Sequence, residues 1–208
     1  MKRIILIVLV LIIVVGAGVV LAVSMSPTKE LNVTMNESPN KPVILIVIDS
    51  LMNEPLQKAI QENKAPALSF LINNGYLESE VISSYPTMSV TIDSTLLTGT
   101  YANEHKIPGL IWFKEDENRM ISYGSGISEM WHNGIKNVAY DSVIRLNNEH
   151  LSNNVQTMHE QLATHDIQSA SINGLLYRGN VQHALHVPKL ISTTNLLPKE
   201  IITNGPIL

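Results

Sequence analysis

The chain has 208 residues, a formal net charge of −4 and no cysteine. The missing cysteine excludes disulfides, thiolate metal sites and a cysteine nucleophile, and the slightly acidic balance offers no nucleic-acid surface. The length suits one domain of ordinary size with additional segments.

Lys2 and Arg3 precede an unbroken apolar run, residues 4–23. As a helix such a run spans about 30 Å, the hydrocarbon thickness of a bilayer. The basic pair predicts an N-terminus inside and the remainder outside the cytoplasm, so residues 1–23 are expected to be a single-pass signal anchor. Ala22-Val23-Ser24 is also a passable cleavage site, and the alternative is a secreted protein after signal removal. Residues 24–41 are polar, contain Pro27 and Pro39, and read as a linker. Asn32 and Asn36 each open an N-x-S/T triplet there.

Residues 42–50 read P-V-I-L-I-V-I-D-S. Six consecutive aliphatic residues predict a strand buried on both faces, as in a parallel sheet. Asp49 ends it, at the carboxyl edge where open α/β sheets gather ligands, although Asp is also an ordinary helix cap. Residues 54–62 and 66–73 read as helices, with Pro66 in a first turn and Gly75 as a stop. Residues 76–84 alternate loosely as a second strand. A right-handed βαβ unit would then place the ends of both strands on one sheet edge.

Residues 85–107 open with a turn at Tyr85-Pro86 and a burst of hydroxyls, Thr87, Ser89 and Thr91. A short helix is predicted over 92–97, closed by Thr98-Gly99. A serine at a helix start sits among free backbone N–H groups at the positive end of the helix dipole, where an anion is held. The same serine also suits a plain N-cap.

Y-P-T-x-S, then T-G nine and ten positions after the serine, then Y-x-x-x-H-x-I, resembles the nucleophile segment of the alkaline phosphatase superfamily. The similarity is to its type I phosphodiesterase/nucleotide pyrophosphatase branch. The resemblance implies that Ser89 is the catalytic nucleophile and a metal ligand, and that Asp49 is a metal ligand. It implies two divalent cations, Zn²⁺ or alternatively Mn²⁺, a covalent phosphoserine intermediate, and a small phosphodiester or nucleotide-like substrate. Ser94 lies only four residues before Thr98, so the spacing selects Ser89. His105 matches a histidine that is structural in the family. Two departures stand out: Val90, Thr91 and Ile92 replace a bulky residue, Pro and Asn, and Leu110 replaces an Asn that holds a phosphoryl oxygen.

Further along, Pro108-Gly109 is a turn, and Trp112 and Phe113 are expected to pack in the core. Gly124-Ser125-Gly126 is a turn before a short helix over 127–132, with Gly134 as its stop. A strand is expected at 138–140. Val155, Met158 and Leu162 fall on one helical face, and a strand follows at 167–172. The expected fold is α/β, a largely parallel sheet with helices on both faces. His159 and His165 lack the i, i+4 spacing of a zinc helix. His183 and His186 are three apart, but Val187-Pro188 argues for extended chain. Neither D-x-x-x-H nor D-H, the family's later metal motifs, occurs in the sequence. Residues 42–208 therefore read as roughly the N-terminal half of a truncated alkaline-phosphatase-like domain, with the remaining ligands expected beyond Leu208. The alternatives are a catalytically inactive membrane-tethered binding protein and a phosphotransferase or sulfatase-like relative. The sulfatase version is disfavoured because Ser89 is followed by V-T-I-D rather than the C/S-x-P-x-R pattern.

Overall fold

A computed structural model describes residues 42–206, apart from 125, 173 and 196. The expected membrane segment and the linker lie outside the described residues. No helix among the described residues is long and apolar enough to cross a membrane. The chain divides into two units, Met1–Val43 and Ile44–Leu208, and every element below belongs to the second.

The architecture is α/β, helices with two small sheets. Helices α1 (Asn53–Gln61) and α2 (Pro66–Asn74) fall where the sequence places them, with Pro66 in the first turn of α2. Its locked φ and missing N–H cost nothing there. Helix α3 (Ser89–Thr98) begins three residues earlier than expected and ends at Gly99, whose φ of 67° is the left-handed conformation a helix stop favours. The short α4 (Ala102–His105) follows. Strands β1 (Ile111–Lys114) and β2 (Arg119–Ser122) pair antiparallel, from Ile111↔Ser122 to Lys114↔Arg119. Helices α5 (Ile127–Asn133) and α6 (Ile135–Tyr140) come next, and the chain runs on from α6 as a π-helix, Asp141–His150. Helix α7 (Met158–Thr164) carries a full capping box between Thr157 and Glu160. Strands β3 (Val181–His186) and β4 (Glu200–Gly205) flank the short α8 (Lys189–Ser192) and pair antiparallel.

The parallel sheet is not present among the described residues: both sheets are antiparallel pairs. Residues 42–48 are extended but unpaired. Their apolar side chains stay exposed, Ile44 at 80% and Ile46 at 67%. A strand buried on both faces needs a neighbour on each edge and a layer on each side, and nothing among the described residues supplies them. Residues 76–84 are likewise without strand pairing, and 167–172 form no strand. Residues 138–140 belong to α6 instead. A three-residue apolar run does not distinguish helix from strand by periodicity.

The core gathers Val90 from α3, Ile107, Ile121 from β2, Tyr123, Leu146 from the π-helix, Leu151 and Leu176. Trp112 packs against it as expected, whereas Phe113, on the opposite face of β1, is exposed. A polar interior ties the elements together. The buried Asp141 carboxylate accepts 2.8 Å bonds from Nη1 and Nη2 of Arg119, a 2.9 Å bond from Arg145 and the Ser122 N–H. Burial alone would raise this carboxyl, but the bonds from Arg119 and Arg145 hold it below the usual range. Arg178, also buried, donates to the carbonyls of Leu151, Ser152 and Val155 and to Glu160. Asn147 accepts from the N–H groups of Tyr177 and Arg178. Two side chains thus fasten the loop before β3 onto the helical layer.

Three histidines are buried, His105, His150 and His159, and burial lowers each below the ordinary imidazole pKa. Glu117 and Asp141 partly offset the effect at His150. When the folded pKa is depressed, the unfolded chain binds the extra proton, so folding stability rises with pH across that window. The protein should therefore lose stability as pH falls below about 6.5, the ordinary imidazole value. Thermal melts between pH 7.5 and 5 check this. A flat melting temperature would show that these rings titrate alike in both states.

Candidate active site

Asp49 follows the extended segment 42–48, in a turn where Ser50 takes a φ of 58°. The chain returns through α1 and α2 to Tyr85–Pro86, whose peptide bond is cis, and enters α3 at Ser89. The two candidate residues meet: Ser89 Oγ lies 3.4 Å from Asp49 Oδ1. That is beyond the distance of a strong O–H···O bond, about 2.5–3.0 Å, so the contact is loose. Both residues are exposed, hence open to a ligand. They meet at the ends of extended segments rather than at the edge of a formed sheet.

Ser89 is the first residue of α3, not its cap. The N-cap is Met88, and no side chain caps the helix. The first intrahelical bond to an amide beyond it runs from Ile92 N to Met88 O. The N–H groups of Ser89, Val90 and Thr91 therefore have no carbonyl acceptor in the helix. This is the arrangement that receives phosphate oxygens.

The structure explains why Ser94 is no rival. It is fully buried and its Oγ donates to Val90 O at 2.7 Å. Thr98 repeats the pattern onto Ser94 O at 2.6 Å. These hydroxyls satisfy themselves on the preceding turn.

His105 is fully buried. Its Nδ1 accepts from Ile107 N at 3.1 Å, which leaves the proton on Nε2, 3.3 Å from Thr95 Oγ1. Thr95 in turn accepts from Ser84. Both ring nitrogens are used, so His105 joins the entry to α3 to its exit. Leu110 packs against the core cluster and offers no polar atom to a phosphoryl oxygen. His159 pairs with Ser169 and His165 caps the end of α7. His183 and His186 lie on β3, where an odd spacing points them to opposite faces.

Two features escaped the sequence reading. Asp93 stands one turn after Ser89 on the same helical face, half-buried. Burial, and next the charge of Asp49, raise its carboxyl above the usual range. The i, i+4 spacing from Ser89 was the available signal. The second is a group formed by Glu117, Glu149 and His150, whose ligand atoms lie within 4.8 Å of one another. Cations already meet it. Arg119 Nε donates to Glu117 at 2.7 Å, Lys114 lies 3.8 Å from Glu117, and Arg145 lies 3.7 Å from Glu149. Tyr123 Oη is 2.9 Å from His150 Nδ1, and Nε2 is 3.2 Å from Glu117. A ring bonded at both nitrogens, among three cationic side chains, is a structural bridge.

Asp49 and Ser89 supply hard oxygen donors and meet no cationic side chain among the described residues, a set that fits a divalent cation. No histidine completes a three-ligand group with them among the described residues.

A serine on an uncapped helix start has free backbone N–H groups beside it, the kind of arrangement that receives anions. The sequence model of the type I phosphodiesterase / nucleotide pyrophosphatase family matches residues 43–173, and the chain belongs to that family. The match takes in Asp49, Ser89, Asp93 and most of the core. No curated protein and no solved structure matches the chain.

Proposed function

We propose that the chain carries the nucleophile segment of a metal-dependent hydrolase that cleaves small phosphodiester or pyrophosphate substrates through a phosphoserine at Ser89. The observation that carries this reading is the 3.4 Å approach of Ser89 Oγ to Asp49 Oδ1 across forty residues of sequence, at the open end of α3. It lies inside the segment that matches the family.

Asp49 and Ser89 would hold part of a two-cation centre, of Zn²⁺ or Mn²⁺. When bound, such cations neutralise phosphoryl oxygens and favour the ionised serine. Ser89 Oγ then forms a bond to phosphorus while the bond to the leaving oxygen breaks. The leaving oxygen keeps the electron pair and takes a proton from solvent, and the serine proton passes to water. A water molecule attacks the phosphoserine in turn and frees Ser89. The amides of Ser89, Val90 and Thr91 face the non-bridging oxygens during both steps. An alcohol in place of that water would make the same site a phosphotransferase.

One observation favours a second reading, a catalytically inactive binding protein: Leu110, partly buried against the core, stands where the resemblance places a polar Asn. Release of the aryl alcohol from an activated phosphodiester, with Zn²⁺ or Mn²⁺ present and this segment joined to the D-x-x-x-H and D-H motifs that the resemblance implies, separates the two, because a binder would give none.

The apolar residues 4–23 after Lys2-Arg3 support anchoring to a membrane, with the domain on its outer face. Added protease should digest the domain on intact cells and leave a short membrane-held fragment. A protected domain would reverse the orientation, and a domain found wholly in the medium would show cleavage after Val23 or Ser24.

A further inference from the structure

We infer that the cleft between the end of the π-helix and the β3–β4 hairpin is a binding site for a neutral, hydroxyl-rich ring, that is, a sugar. The site is independent of the proposed chemistry at Ser89, and its hairpin side lies beyond the segment that matches the family.

The cleft has a volume of about 360 Å³, within the range of small-molecule sites. Its floor is fixed by bonds already made. Asn147 is fully buried, its Oδ1 accepts from the N–H groups of Tyr177 and Arg178, and its Nδ2 donates to Leu175 O at 3.0 Å. Thr203, also buried, donates to Asn148 Oδ1 at 3.0 Å, which pins that amide and leaves its Nδ2 hydrogens without an acceptor among the described residues. The two charged residues of the lining, Arg178 and Glu160, pair with each other at 3.1 Å. Neither an anion nor a cation therefore meets a free counter-charge there. What remains is neutral and polar. The side-chain amides of Asn153, Gln182 and Asn204 have no partner among the described residues. Gln182 and Asn204 stand opposite each other across the hairpin, so their side chains share a face. Ile202, two residues from Asn204 on that face, is 52% exposed. A side-chain amide offers two donors and an acceptor at a set separation, and adjacent hydroxyls of a sugar ring both donate and accept. Ile202 gives the C–H face of such a ring an apolar surface. Because the floor is already ordered, a ligand loses little to ordering it.

The test is saturation-transfer NMR on the full 208-residue chain with glucose, N-acetylglucosamine and myo-inositol as neutral probes and inorganic phosphate as a competitor. At least one neutral probe should receive saturation, and phosphate should not displace it. Asn204→Leu should weaken that binding about tenfold, the loss of one net hydrogen bond, and Asn204→Gln should recover part of it. Gln182→Leu should act in the same direction. Both side chains are exposed, so both leucine variants should melt at the wild-type temperature. Ser89→Ala should bind the probe as wild type does, which keeps this result separate from the fate of the proposed hydrolase site. Saturation of none of the three neutral probes would overturn the inference. Displacement by phosphate, or loss of binding in Ser89→Ala, would move the ligand to the start of α3 and overturn it too. Unchanged binding in both leucine variants would show that the probe sits elsewhere on the chain.

Discussion

Ser89→Ala should abolish turnover of an activated aryl phosphodiester. The assay uses a polypeptide that joins this segment to the D-x-x-x-H and D-H motifs that the resemblance implies, neither of which occurs in these 208 residues. The alanine removes the atom that would bond to phosphorus, so no alternative oxygen on α3 can take over. Thr91, the next hydroxyl, is buried, and Ser94 is bonded to Val90 O inside the helix layer. A fall of at least about a thousandfold is expected, as for loss of a covalent nucleophile. Asp49→Asn should impair turnover severely through weaker cation binding. Ser94→Ala should leave turnover intact and cost about 1 kcal/mol of stability, the net worth of one buried hydrogen bond. Mass spectrometry of a quenched reaction should find the phosphoryl adduct on the peptide containing Ser89. Undiminished activity in Ser89→Ala, or loss in Ser94→Ala alone, would place the nucleophile elsewhere. Activity from the 208-residue chain by itself would show that those two motifs are dispensable.

The candidate site was legible because it is written in local signals. Turn, hydroxyls, apolar turn of helix and Gly99 place Ser89 at a helix start whatever the rest of the chain does. Helices α1 and α2 were legible for the same reason, through Pro66 and the periodic apolar residues. The T-x-x-E box at Thr157–Glu160 was readable and marks the start of α7 exactly one residue before its first helical residue.

What was not legible depends on distant partners. Residues 42–48 have the composition of an interior parallel strand, and the composition states only that the segment should be covered, not what covers it. In the described structure they remain exposed. The β1–β2 hairpin has no Asn-Gly or Asp-Gly at its turn. It closes through Glu115–Asn118, with Asn118 at a φ of 47°, a weaker signal. The π-helix follows α6 without a break, and no cap or glycine announces the change of winding. Asp141 sits at that junction, and its partners lie twenty-two residues back on β2 and four residues ahead.

Asp141→Ala should be strongly destabilising. The carboxylate is about 1% exposed and takes four hydrogen bonds, two from Arg119, one from Arg145 and one from the Ser122 amide. Removing one partner of a buried ion pair costs about 3–5 kcal/mol, because the other charge stays behind unpaired. Here both arginines are roughly one-quarter exposed and keep second partners, Arg119 with Glu117 and Arg145 with Glu149, which pulls the loss toward the lower end. The Ser122 N–H, fully buried, loses its acceptor and adds to the loss. A drop of roughly 3 kcal/mol is expected from urea unfolding, or about 6–12 °C in melting temperature for a domain of this size. The pH dependence gives a second reading. The folded carboxyl is held below its unfolded pKa, so its contribution is present above that value and is lost as pH falls through the folded one. Wild type and Asp141→Ala should therefore converge in stability as the pH drops below about 4, the ordinary carboxylate range. A constant gap down to pH 2 would assign the loss to packing, and no gap at pH 7 would mean that the arginine cluster holds the π-helix to β2 without it.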